Sequence, residues 1–146
     1  MGLIGYGIDL GEHRKEDNFP GILEFIKKYT PDIYDEIMKD ADFKDDEAEG
    51  ITKYVINWFN DYEYDGEEGL HAYLAFVMSK EEDIVFESYY DGYGSRYVYI
   101  RAEMPWDYNE KIKSITKDEI NGIFRKYISQ ISEKEYAPDN IYSYEE

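Results

Sequence analysis

Leu70–Met78 (LHAYLAFVM) is apolar at every position except His71. A run of this length with a single polar residue reads as a strand buried on both faces, and the fold is read outward from it. Lys80, Glu81, Glu82 and Asp83 break the run with charge and supply a turn. Ile84–Tyr90 (IVFESYY) resumes as a strand, β-branched or aromatic at most positions. Asp91-Gly92-Tyr93-Gly94-Ser95 follows, and Asp-Gly supplies the positive φ that a tight hairpin needs. From Arg96 to Glu103 the side chains alternate. Val98, Ile100 and Ala102 point one way and Tyr97, Tyr99 and Arg101 the other. Pro105 ends the strand, because proline cannot donate to a continuing ladder. The expectation is an antiparallel three-stranded meander with one core face and one tyrosine-bearing face.

The stretch after the meander reads as an amphipathic helix. Thr116 stands at its N-cap with Glu119 placed to complete a capping box, and Ile115 can staple onto Ile120. Ile120, Ile123, Phe124, Tyr127, Ile128 and Ile131 repeat at helical spacing and define an apolar face that must be buried against the sheet.

Upstream, Leu3–Leu10 (LIGYGIDL) reads as a strand, with Gly5 and Gly7 marking a bulge or a close approach. Its glycines do not make the dinucleotide fingerprint, since polar residues follow where a helix is required. Ile22, Phe25, Ile26 and Tyr29 predict a short helix. Thr30-Pro31 starts a second, with threonine capping and proline at the first helical position. A third carries Ile51, Tyr54, Val55, Trp58 and Phe59 on one side, with Trp58 as a core anchor. The fold class is therefore α+β. A small antiparallel sheet, the meander plus an N-terminal strand, packs against amphipathic helices in the order β-α-α-α-β-β-β-α. Residues 1–132 form one domain, and 133–146 an acidic tail partly ordered by Tyr136, Ile141 and Tyr142.

Composition narrows the function classes. The chain has no cysteine, hence no disulfide, thiolate metal site or cysteine nucleophile. The N-terminus lacks a basic region followed by an apolar run, so the expected location is the cytoplasm of a bacterial host cell. Charge dominates: 34 acids against 16 bases give a net −18. Such a field repels phosphate, which argues against direct binding to nucleic acid or an anionic membrane. It would attract a basic protein surface. Acidity can also serve solubility alone, but its distribution is uneven. Asp40, Asp42, Asp45, Asp46, Glu47 and Glu49 face only Lys44, and Asp61, Glu63, Asp65, Glu67 and Glu68 have no base among them.

Those clusters are compatible with three chemistries: metal binding, catalysis and protein binding. Asp61-x-Glu63-x-Asp65-Gly66 resembles the start of a calcium-binding EF-hand loop. The twelfth position, which needs a bidentate glutamate, is Ala72. Asp61, Glu63 and Asp65 therefore remain weak metal candidates, and no cofactor is expected. For catalysis, His13 and His71 belong to no recognised motif, and neither a nucleophile elbow nor a phosphate loop is present. The chain is read as a binder rather than an enzyme. For binding, 17 tyrosines supply large rigid contact area with a hydrogen-bonding tip. Carboxylates interleaved with them can stand in for nucleic-acid phosphates. Some of these tyrosines are equally explained as strand formers with wet tips.

The combination of small size, no cysteine, strong acidity, abundant aromatics and the clusters at 40–49 and 61–68 resembles the nucleic-acid-mimicking inhibitors that phages make against host defences, the anti-CRISPR and anti-restriction proteins. That resemblance implies an inhibitor that occupies the nucleic-acid-binding surface of a basic nuclease or CRISPR effector. The expected contact residues are Asp45, Asp46, Glu47, Glu49, Asp61, Tyr62, Glu63, Tyr64, Asp65, Glu67, Glu68, Asp91, Tyr97 and Tyr99. The alternatives are an immunity protein for a toxin nuclease, and a divalent-metal module or small hydrolase built on Asp61–Glu68.

Overall fold

A computed structural model describes residues 2–11, 19–40, 48–61, 63–64, 67–92, 94–101, 116–132 and 134–143. The chain opens with β1 (Gly2–Asp9), then α1 (Ile22–Tyr29), α2 (Pro31–Asp40) and α3 (Ala48–Asn60). The short strands β2 (Glu63–Tyr64) and β3 (Glu67–Glu68) precede α4 (Leu70–Glu82). Strands β4 (Glu87–Tyr90) and β5 (Arg96–Arg101), helix α5 (Lys117–Ile128) and strand β6 (Asp139–Ser143) complete it. The main sheet is antiparallel in the order β4-β5-β1-β6, and β2 and β3 pair separately. The α+β class and the antiparallel sheet with its N-terminal strand are as the sequence predicts.

Two segments differ, the first in the middle of the chain and the second at its C-terminal end. Leu70–Met78, expected as a doubly buried strand, forms most of α4. Within that run only Phe76 is exposed. A helix surrounded by core has no polar stripe, so the 3.6-residue period that would identify it is missing. Lys80–Glu82, expected as a turn, are good helix formers that add the last turn. Asp83 then ends the helix in the left-handed conformation at φ 56°.

The other helices follow their periodicity. Ile22, Phe25 and Ile26 of α1 are buried, as are Ile37 of α2 and Val55, Ile56 and Phe59 of α3. Trp58 is half-buried and meets Phe59 edge-on, with ring centroids 5.2 Å apart. Thr30 joins α1 to α2. Its carbonyl accepts from Tyr34 N, while its hydroxyl donates to the Ile26 carbonyl at 3.0 Å. At α5 the Thr116 hydroxyl accepts from Glu119 N at 3.2 Å and donates to the Glu119 carboxylate. This is a variant of the expected box, in which the glutamate bonds the capping hydroxyl.

The core lies between helices and sheet. Ile8 of β1 pairs with Val98 of β5, both fully buried, and Ile100 lies beside them. Tyr73 of α4 stacks on Phe59, centroids 4.3 Å apart, and meets Phe25 edge-on. From α5, Phe124 packs edge-on against Phe86, and Tyr6 on β1 donates its hydroxyl to Asn121 at 2.7 Å. The segment expected as a tail contributes β6, an edge strand along β1 with Ile141 buried. Among the described residues, no helix is long and apolar enough to cross a membrane. Ala102, Pro105 and Ile115, which carried expectations for the end of β5 and the α5 staple, lie outside the described residues.

Candidate protein-binding surface

The second acidic cluster is built into a hairpin between α3 and α4. Asp61 N donates to the Trp58 carbonyl at 3.2 Å as α3 ends, and Gly69 N donates to the Phe59 carbonyl at 3.0 Å as the hairpin returns. Gly69 sits at φ 113°, a value that L side chains rarely adopt, and its carbonyl receives Tyr73 N in the first turn of α4. Between these anchors Glu63 pairs across the strands with Glu68, and Tyr64 with Glu67. Glutamates directly opposite each other repel and oppose hairpin formation. Asp61 and Glu68 are exposed, and neither makes an ion pair among the described residues. The hairpin is held by its backbone anchors, and the Asp61 and Glu68 carboxylates beside them are exposed.

β3 runs beside β4, which brings the hairpin next to the tyrosine-bearing strands. Tyr89 pairs with Tyr97 across β4 and β5, their rings nearly parallel at 8° with centroids 6.2 Å apart. Both are half-buried. Glu87, on the same face of β4, lies 4.0 Å from the Arg101 guanidinium. On the opposite face Arg96 stacks over Tyr90 at 4.7 Å.

The expected contact residues divide three ways. Asp61, Glu68 and Tyr97 present side chains on adjoining elements, and Glu63, Tyr64 and Glu67 hold backbone positions in the hairpin. Asp91 is committed to the β4–β5 turn, where its carboxylate accepts from Ser95 N at 3.0 Å, and Gly92 and Gly94 supply the positive φ expected there. Tyr99, expected on the open face, is only 8% exposed, a correction that its neighbours explain. It lies against Gly5 and Gly7, where an added Cβ would come within 2.5 Å of the Tyr99 ring and of its Cα respectively. The missing side chains of β1 make room for the ring. Asp45, Asp46, Glu47, Tyr62 and Asp65 lie outside the described residues, and Glu49 is placed only as a backbone position in α3. Glu87 and Tyr89 are additions to the expected set. Strand alternation against Tyr97 and Tyr99 was the available signal for both.

Of the metal candidates, Asp61 is exposed, Glu63 is described only as a backbone position and Asp65 lies outside the described residues. Helices do flank the Asp61–Glu68 segment, but Ala72, at the twelfth EF-hand position, is 2% exposed on α4. Among the described residues, no three histidine or carboxylate side chains gather as a metal site. His71 is buried in the first turn of α4, and His13 lies outside the described residues. No protein-family model, curated protein or solved structure matches this chain.

Proposed function

We propose that this chain is an acidic inhibitor that binds a basic protein, a nuclease or CRISPR effector, and occupies its nucleic-acid-binding surface as a phage-made nucleic-acid mimic would. The observation that carries this reading is the β2–β3 hairpin. It sets Glu63 opposite Glu68 and leaves Asp61 and Glu68 exposed with no cation paired to them among the described residues. Like charges held together against their repulsion are explained by a cationic partner that neutralises them. Tyr97 and Tyr89 on the adjoining strands add rigid contact area. The net charge of −18 would steer encounter with such a partner.

The test is capture from bacterial lysate with the tagged full chain, followed by competition with duplex DNA and with structured RNA. The reading expects one basic nucleic-acid-binding protein, released by salt and by one of the nucleic acids. A toxin nuclease in the catch would make the chain an immunity protein, and an effector complex would make it an anti-defence protein. Retention of nucleic-acid binding by the captured protein in the ternary mixture would sink the mimic.

A further inference from the structure

We propose that the Tyr89–Tyr97 face of the β4–β5 strand pair selects arginine over lysine in a bound basic segment. This rests on the reading above and names the chemistry its partner must carry. The molecule shows the relevant contact in itself. Among the described residues six cations lie over tyrosine rings: five lysines at 5.0–5.5 Å, and Arg96 over Tyr90, on this same strand pair, at 4.7 Å. Tyr89 and Tyr97 carry no cation among the described residues, although they are half-exposed and nearly parallel.

A carboxylate stands ready on the same face. Glu87 neighbours the tyrosine pair, and its contact with Arg101 sits at 4.0 Å with side chains 34% and 52% exposed. An ion pair so long and so solvated is weak, so an incoming guanidinium can replace it. A planar guanidinium can stack on tyrosine and present its edge to a carboxylate at the same time. A lysine ammonium can also sit over a ring, as five do here, but it offers one point charge and no plane, so it cannot stack flat and present a fork to Glu87 at once. The outlying charge of the β2–β3 hairpin beside β4 attracts either cation; the aromatic pair discriminates.

The experiment titrates the full chain with labelled nona-arginine and nona-lysine peptides at one ionic strength, read by fluorescence anisotropy. The native chain should bind the arginine peptide about tenfold more tightly. Changing Tyr89→Leu and Tyr97→Leu together should bring the ratio close to one with lysine-peptide affinity unchanged. Tyr89→Phe with Tyr97→Phe should keep the preference, since the rings remain, and thermal melts confirm that each variant folds. Equal affinity of the native chain for both peptides, or a preference that survives the double leucine variant, overturns arginine selection while leaving the acidic-surface reading intact. Binding of neither peptide overturns both.

Discussion

The Tyr73 hydroxyl meets Thr30 Oγ1 at 2.6 Å, joining the first turn of α4 to the junction between α1 and α2. Thr30 already donates its own hydrogen to the Ile26 carbonyl, so Tyr73 is the donor. The two partners are therefore unequal. Tyr73→Phe removes a donor and leaves Thr30 with its own bond, which should cost about 1 kcal/mol. Thr30→Val removes the acceptor of a buried phenol and leaves the Ile26 carbonyl with the residue 30 backbone N–H alone, which should cost about 2 kcal/mol. Urea denaturation of both variants checks the order.

Tyr127 gives the protein an alkaline limit. Burial pushes its phenol well above the usual tyrosine range, and the Glu82 carboxylate that accepts its hydrogen pushes it further. Tyr73 is raised by burial as well. Below a pH of about 10 both folded and unfolded chains hold these protons, and their contribution is complete. Above it the unfolded chain releases them while the native one retains them, so stability falls as pH climbs toward the raised native values. Denaturation midpoints between pH 8 and pH 11 should drop more steeply for the native sequence than for Tyr127→Phe.

Two glycines should respond to alanine in opposite directions. At Gly7 a Cβ would lie 2.0 Å from the Val98 carbonyl oxygen, a backbone atom of the paired strand. Gly7→Ala should cost about 3 kcal/mol, because relief requires β1 and β5 to separate. At Gly122, exposed in α5, a Cβ meets nothing within 4 Å. Gly122→Ala should gain about 0.5–1 kcal/mol from helix propensity. Thermal melts of the two variants give the comparison.

Neighbours on α5 separate core from rim. Phe124 is 1% exposed and packs edge-on against Phe86 at 5.6 Å, whereas Ile123 is half-buried. Phe124→Ala should cost about 3–5 kcal/mol, the range for a buried aromatic. Ile123→Ala should cost clearly less, as measured by the same denaturation series.

How far the fold can be read from residues depends on where each element's partner lies. Thr116, Glu119 and the spacing from Ile120 to Ile131 announce α5, because cap and stripe are local. Alternation announces β5, because Val98 and Ile100 are buried on its core face while Tyr97 and Arg101 keep some exposure on the other. α4 is misread because burial on nearly every side removes its period, leaving length as the remaining cue. β6 pairs with β1 from the far end of the chain, and Ile141 among polar neighbours carries no local sign of that pairing. Tyr99 is a similar case. Its side chain alternates outward with Tyr97, yet Gly5 and Gly7 across the strand pair create the space it fills. The acidity of Asp61–Glu68 is plain in the sequence. Its geometry is not: strands of two residues each have no period, and the approach of β3 to β4 depends on the intervening helix.

The most direct measurement is a paired capture from bacterial lysate with the native chain and with a variant carrying lysine at Asp61, Glu63, Asp65, Glu67 and Glu68. Thermal melts are run alongside. The account predicts a basic nucleic-acid-binding protein with the native chain, salt-sensitive and absent with the variant. The variant's melting temperature should be unchanged or raised, since the Glu63–Glu68 repulsion is not made worse. The same protein captured equally by both chains would contradict the assignment of this hairpin as the contact surface.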